Sequence, residues 1–199
     1  MTKSKKAAVP SDLTTTFTEH FRAHVEVVAK SGVTLASSAA DAGKAIIDVL
    51  EGGGKVICFG NGGSATQASH LAGELVGRFR SKRRPLPAIS LASDAATLTC
   101  IANDFGYSEV FDRQVAAFAQ PGDVAIGLTT SGKSENVVKA LAVARARGAL
   151  TIALTGSAGL IGGEADYLIA VPSSDTAHIQ EVHLMVLHVW CIAIDEAFG

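Results

Sequence analysis

The chain has little cysteine, proline or aromatic content: its 199 residues include 3 Cys, 5 Pro, 8 Phe, 2 Tyr and 1 Trp. Cys58, Cys100 and Cys191 make an odd set without a C-x-x-C pair, which excludes a disulfide framework and fits a reducing compartment. So few prolines beside 20 glycines exclude a Pro-rich linker protein and a collagen-like repeat. An excess of one charge is also missing. With 17 Lys+Arg against 19 Asp+Glu the formal charge is −2, so no broad basic field exists to draw nucleic acid or an anionic membrane, and any anion must be held locally. No uninterrupted apolar run approaches about 20 residues, and the basic start, Met1 to Lys6, is followed by polar residues where a signal peptide carries its apolar core. A soluble, cytoplasmic protein is expected.

What is present is a core: 48% hydrophobic residues against 18% charged, dominated by Ala, Val, Leu and Ile. That balance suits one layered α/β domain whose strands are covered on both faces. Residues 1–10 read as a flexible arm, after which Ser11 or Asp12 can cap a helix through Phe17, Phe21, Val25 and Val28. A second helical pattern, about Val33 to Leu50, stops at Gly52-Gly53-Gly54. From Lys55 the pattern changes to five short β-rich runs, Val56–Phe59, Ala88–Leu91, Val124–Leu128, Thr151–Leu154 and Tyr167–Val171. Helical stretches at about 64–78, 94–103, 108–119, 134–147 and 176–197 alternate with them. The pattern predicts a doubly wound five-stranded parallel sheet with helices on both faces, residues 55–199, preceded by helices at 11–54 that pack in an oligomer.

In such a sheet, ligands bind beyond the carboxyl ends of the strands. Two loops there are rich in glycine and hydroxyls, Gly60-Asn61-Gly62-Gly63-Ser64 and Thr129-Thr130-Ser131-Gly132-Lys133-Ser134, and each leads into a helix. Backbone N–H groups, hydroxyls and a helix N-terminus together suit a phosphate; the second loop is the better cradle, while Asn61 suits sugar hydroxyls or a carbonyl. Neither loop is a P-loop or a dinucleotide fingerprint, which disfavours nucleotides. His70 and Glu74 share a helix face, placed near the end that faces the ligand crevice. Such a pair can hold a metal or pair a base with an orienting group, although an i,i+4 His/Glu contact is more often a solvated one. On the last helix, Gln180 and His188 lean to one side, with His183 a competing candidate on spacing. Asn103-Asp104 reads as a loop or helix stop that can also meet sugar hydroxyls. The basic run Arg78–Pro85 reads as a solvated loop, with guidance of anions secondary.

Taken together, these stretches resemble the sugar isomerase (SIS) domain family, and within it the phosphoheptose isomerases. The resemblance rests on Phe59-Gly60-Asn61-Gly62-Gly63-Ser64, His70-Leu71-Ala72-Gly73-Glu74-Leu75-Val76-Gly77-Arg78-Phe79, Ala102-Asn103-Asp104-Phe105-Gly106, Thr130-Ser131-Gly132-Lys133-Ser134-Glu135-Asn136 and Ile179-Gln180-Glu181-Val182-His183 with His188 beyond, in order over roughly residues 13–197. It implies a cytoplasmic homotetramer converting D-sedoheptulose 7-phosphate to D-glycero-D-manno-heptose 7-phosphate, the entry to activated heptose for lipopolysaccharide core or capsule. It implies one zinc ion per subunit on His70, Glu74, Gln180 and His188, with Glu74 as base and His188 as its acid partner. Implied substrate contacts are Asn61, Gly62, Gly63, Glu74, Asn103, Asp104, Thr129, Thr130, Ser131, Ser134 and Gln180. Thr129 stands where the family commonly has Ser, and His178 where Arg is common. The alternative of another class is a non-catalytic SIS protein that binds a phosphosugar or a protein partner, of the replication-initiation regulator type; the joint presence of His70, Glu74, Gln180 and His188 argues against it.

Overall fold

The computed structural model describes residues 12–199; the arm expected at 1–10 lies outside the described residues. Asp12 caps the first helix, α1 (Leu13–Thr34), its carboxylate accepting the Thr14 N–H at 2.9 Å. The junction with α2 (Ala36–Glu51) is a single residue, Leu35, whose helical dihedrals and N–H bond to the Ser31 carbonyl nearly carry one helix into the next. The alternation then follows as β1 (Val56–Gly60), α3 (Gly63–Val76), β2 (Ala88–Ser90), α4 (Ala95–Phe105), a 3-10 turn at Tyr107–Glu109, α5 (Asp112–Phe118), β3 (Val124–Thr129), α6 (Glu135–Ala146), β4 (Leu150–Thr155), β5 (Tyr167–Ala170) and α7 (Thr176–Phe198).

All five strands are parallel, in the order β2-β1-β3-β4-β5. The direction of winding reverses between β1 and β3, so their carboxyl ends open a crevice into which both glycine- and hydroxyl-rich loops emerge. Alternate residues of the central strands enter two cores. Val56 and Cys58 join α2, α3 and α7 through Ile46, Leu71, Leu75, Leu187, Trp190 and Ile194. Ile57 and Phe59 join α4, α5 and α6 through Ile101, Val115, Val137 and Leu141. Burying both faces explains why these strands read as apolar runs.

Two features differ from the sequence reading. The helix expected to end at 103 runs on to Phe105 and stops at Gly106, whose φ of +99° only glycine adopts freely, so Asn103 and Asp104 lie in a helical turn. α7 is long and apolar enough to cross a membrane by length and composition, with a mean hydropathy of 1.3, yet half of that stretch is buried in the protein, as in a core helix. The apolar stripe of α1 reaches the core only at Val28: Phe17, Phe21 and Val25 are exposed, and the two Phe rings stack on each other at 4.5 Å.

Candidate active site

The β1–α3 loop holds its amide firmly. Asn61 and Asn136 exchange two side-chain hydrogen bonds of 2.9 Å, and the Tyr107 hydroxyl donates to Asn61 Oδ1 at 2.8 Å. This ties the loop to the first turn of α6 and to the 3-10 turn across the crevice. Asn136 is buried, so pairing with Asn61 also satisfies an amide that would otherwise be costly to bury.

The β3–α6 loop is shaped by glycine. Gly132 has φ +69°, and a β-carbon there would stand 1.8 Å from the Gly159 carbonyl oxygen. The segment after β4 supports the loop from below, with Gly156 N–H donating to the Thr130 carbonyl at 3.1 Å and Ile161 N–H to the Gly132 carbonyl at 2.9 Å. Thr129 and Ser134 hydroxyls lie 2.9 Å apart, and Ser131 Oγ accepts the Lys133 N–H at 3.2 Å. Ser134 occupies the cap position of α6 without a side-chain capping bond, and Ser131 is exposed, so hydroxyls and orphan helix N–H groups share one concave turn.

The third part is the seam between α3 and α7, which run in the same direction because each leaves the carboxyl end of a strand. His70 Nε2 lies 3.0 Å from His188 Nε2 and 3.6 Å from Glu74 Oε1. Phe79 stacks on the His188 ring at 5.4 Å, and the Arg80 guanidinium lies 5.0 Å over Phe79. Seven and eleven residues from the start of α3, His70 and Glu74 lie about 10 and 16 Å along the helix.

Gln180 is placed differently. A side chain on Gly63 would meet its amide at 2.7 Å, so the glycine is what lets Gln180 lie against the first turn of α3; Gln67 Nε2 donates to the Gln180 carbonyl at 2.6 Å. His70 therefore meets both His188 and Glu74, and Gln180 lies up the seam from them. His70 Nε2 has an imidazole nitrogen at 3.0 Å and a carboxylate oxygen at 3.6 Å, close to the roughly 3.3 Å edge of a tetrahedral zinc site, although the three ligand atoms do not all fall within 4.8 Å of one another. In kind, two imidazoles, a carboxylate and an amide fit zinc.

His183, the competitor to Gln180 and His188, is a core residue. Its Nε2 lies 3.1 Å from the Thr155 carbonyl and its Nδ1 has no hydrogen-bond partner among the described residues; burial pushes the imidazole down to about 4. Asn103 and Asp104 are exposed, with Asn103 Nδ2 donating to Asp104 Oδ1 at 2.8 Å. The basic run is not simply a solvated loop. Arg83 is 1% exposed in its side chain, pairs with buried Asp195 at 2.8 Å, and donates to the carbonyls of Glu74 at 2.7 Å and Leu75 at 2.9 Å. Burial works to raise the Asp195 carboxyl, but the N–H groups of Ser81 and Arg80 and the Arg83 guanidinium outweigh it and hold it below the usual carboxylate range. Arg83 thus anchors the backbone that carries Glu74. Sequence reasoning missed Arg83, Asp195, Phe79, Tyr107 and Gln67 because each acts through a partner far along the chain; Asn136 lay in plain view beside the phosphate loop.

Residues 17–156 match the SIS domain family. The phosphoheptose isomerase of Aquifex aeolicus (strain VF5) is 48% identical over 177 residues, 88% of this chain and 93% of that protein. Among solved structures, the phosphoheptose isomerase GmhA of Neisseria gonorrhoeae superposes with a TM-score of 0.85 at 35% identity, covering 93% of this chain and 100% of that one. A phosphoheptose isomerase from Francisella tularensis gives 0.85 at 37% identity, covering 91% and 97%.

Proposed function

The chain belongs to the SIS domain family, among its phosphoheptose isomerases, and from that premise we infer that it converts D-sedoheptulose 7-phosphate to D-glycero-D-manno-heptose 7-phosphate. It is an aldose–ketose isomerase acting on a sugar phosphate. We place the phosphate on Thr130, Ser131 and Ser134 at the α6 N-terminus, with Thr129 bracing Ser134. The sugar hydroxyls and the opened carbonyl go to Asn61, Gly62, Gly63, Asn103, Asp104 and Gln180.

Such an isomerisation moves a proton between neighbouring carbons through an enediolate. In our reading the Glu74 carboxylate takes the C1 proton of the ketose and, after exchange with solvent, delivers a proton to C2. His188 gives a proton to the C2 oxygen as the enediol forms and accepts one from the C1 hydroxyl as the aldehyde forms. The observation that carries this reading is the His70 imidazole held 3.6 Å from the Glu74 carboxylate and 3.0 Å from His188 across helices that meet only in the fold, since a purely binding module needs no base. His70, Glu74, Gln180 and His188 are our candidates to hold one zinc ion per subunit, which supplies Lewis-acid polarisation or a template for the substrate oxygens. Ligation lowers the basicity of a carboxylate, so Glu74 acts as base when it is free of the ion. Incubation with D-sedoheptulose 7-phosphate in heavy water, followed by NMR, tests the activity: aldose signals carrying deuterium at C2 are expected, and unchanged ketose overturns the reading.

We also propose a cytoplasmic homotetramer in which residues 11–54 serve assembly and 55–199 form the SIS α/β domain, its product feeding activated-heptose synthesis. Support for assembly comes from the bare stripe of Phe17, Phe21 and Val25 and from an apolar groove of about 550 Å³ between α1, α2 and α7, lined by Val28, Ile47, Val186 and Val189. Light scattering tests this: a mass four times that of the 20.4 kDa chain is expected, and a monomer refutes it.

A further inference from the structure

A second group of metal-type side chains stands away from the seam, where α1 crosses the start of α7. His20 and His24 are one turn apart on α1; His178 and Glu181 are three residues apart on α7. The Glu181 carboxylate is the hub. Its Oε1 lies 2.8 Å from His20 Nε2, and its Oε2 lies 3.0 Å from His178 Nδ1 and 2.7 Å from His24 Nδ1. Among the described residues, His20, His178 and Glu181 are the group whose ligand atoms all fall within 4.8 Å of one another. The three imidazoles crowd together, with His178 centred 4.4 Å from His20 and 5.7 Å from His24.

Hydrogen bonding alone does not account for this arrangement. His24 Nδ1 is buried and close to a carboxylate oxygen, yet it makes no hydrogen bond, so its approach is out of line for one. Neutral N–H groups of His20 and His178 can donate to Glu181, which leaves His24 unaccounted for. A single divalent ion suits the cluster as well, because neutral imidazoles present lone pairs to it and Glu181 supplies the charge. The nitrogens of His20 and His178 stand 2.8 and 3.0 Å from the carboxylate oxygens, a few tenths of an ångström inside the roughly 3.3 Å edge of a tetrahedral site, so small outward rotations would seat an ion. Asp175, also nearby, is engaged in capping α7 through the Ala177 and His178 N–H groups. Glu181 follows Gln180 by about 100° around α7, so the two clusters leave that helix on different sides.

We propose that His20, His178 and Glu181 form a second metal site, with His24 at its edge, taking a divalent transition ion of the zinc type and clipping α1 to the first turn of α7. Two imidazoles and one carboxylate suit zinc, nickel or copper over magnesium or calcium. The site is independent of the isomerase reading.

The test uses the full chain, stripped with chelator and dialysed against zinc, with bound metal counted by mass spectrometry. Removing the seam ligands by His70→Ala and His188→Ala should leave one zinc per chain; adding His20→Gln and His24→Gln should abolish it. Cobalt gives an independent readout, since the seam-deleted chain should show visible ligand-field absorption that the fourfold variant lacks. Circular dichroism checks the helices of each variant, and Glu181→Gln, which keeps the side-chain shape, should weaken uptake if the double change unsettles α1. A seam-deleted chain that takes no metal, or a fourfold variant that takes as much as its parent, overturns the proposal.

Discussion

The β3–α6 loop and the α3–α7 seam are assigned to the same reaction but are built on opposite plans. The loop is local: hydroxyls, a positive-φ glycine and a helix N-terminus within six residues, braced by the segment just after β4. The seam is assembled from afar, with His70 and His188 118 residues apart in the chain and Arg83 reaching 112 residues to Asp195. A change in the loop should therefore alter substrate affinity at one end of the ligand. A change at the residues that hold the seam should propagate into stability as well as turnover, because Arg83, in the loop after α3, and Asp195, in α7, fix the backbone that carries Glu74.

The largest expected effect is at the buried ion pair. Arg83→Met leaves Asp195, 4% exposed, without its guanidinium, and should cost about 3–5 kcal/mol in denaturant unfolding. Turnover should fall too, because the Glu74 carbonyl loses its donor. A loss under about 1 kcal/mol would show the seam to be as locally held as the loop.

Next in size is a pH effect at His183, which joins α7 to the end of β4 beside the phosphate loop. Its folded-state value, pushed down to about 4, lies below the 6.5 of an unfolded histidine. The unfolded chain therefore binds the extra proton between those values, and the stability contribution is full above about pH 6.5 and declines as pH falls towards 4. The loss approaches about 3 kcal/mol at the acid end. Denaturation midpoints of the native chain and of His183→Gln, compared from pH 7.5 to 4.5, check this. Parallel curves would mean that His183 titrates alike in the folded and unfolded chain, against the burial effect.

Glu74→Gln should lower turnover by about 10² while leaving the thermal midpoint nearly unchanged, since its carboxylate makes no buried ion pair. Near-normal turnover by NMR would remove Glu74 as the base. The gap between this variant and Arg83→Met is informative: one side chain of the seam acts on chemistry alone, the other on chemistry through position.

What could be read from the sequence divides along the same line. The sheet was legible because buried parallel strands are apolar runs bounded by turn chemistry, as at Val124–Thr129 followed by its hydroxyls. Asp12 as a cap and Gly52 as a stop are likewise local signals. The eight-residue interval already sets Gln180 and His188 about 12 Å apart along α7, but it does not say that Gly63 opens space for one amide. Arg83 was read as solvated because a run of like charges usually is, and only the fold shows Asp195 waiting inside α7. The histidines of α1 look like an ordinary polar face until Glu181 is brought against them.

The smallest predicted effect isolates the loop. Ser134 has two neighbours of interest, the Thr129 hydroxyl at 2.9 Å and the uncapped first turn of α6. Because it makes no side-chain capping bond, Ser134→Ala forfeits little helix stability, unlike an ordinary cap substitution. A hydrogen bond from its hydroxyl to a phosphate oxygen is charge-assisted, worth about 1.5–3 kcal/mol, so its removal should raise KM by a factor between about 10 and 10². The phosphate is remote from the C1–C2 bond, so kcat should change less than KM if that contact is made equally in ground and transition states. Steady-state kinetics on sedoheptulose 7-phosphate decides it: an unchanged KM would place the phosphate elsewhere, and a fall confined to kcat would mean that the loop and the seam are coupled after all.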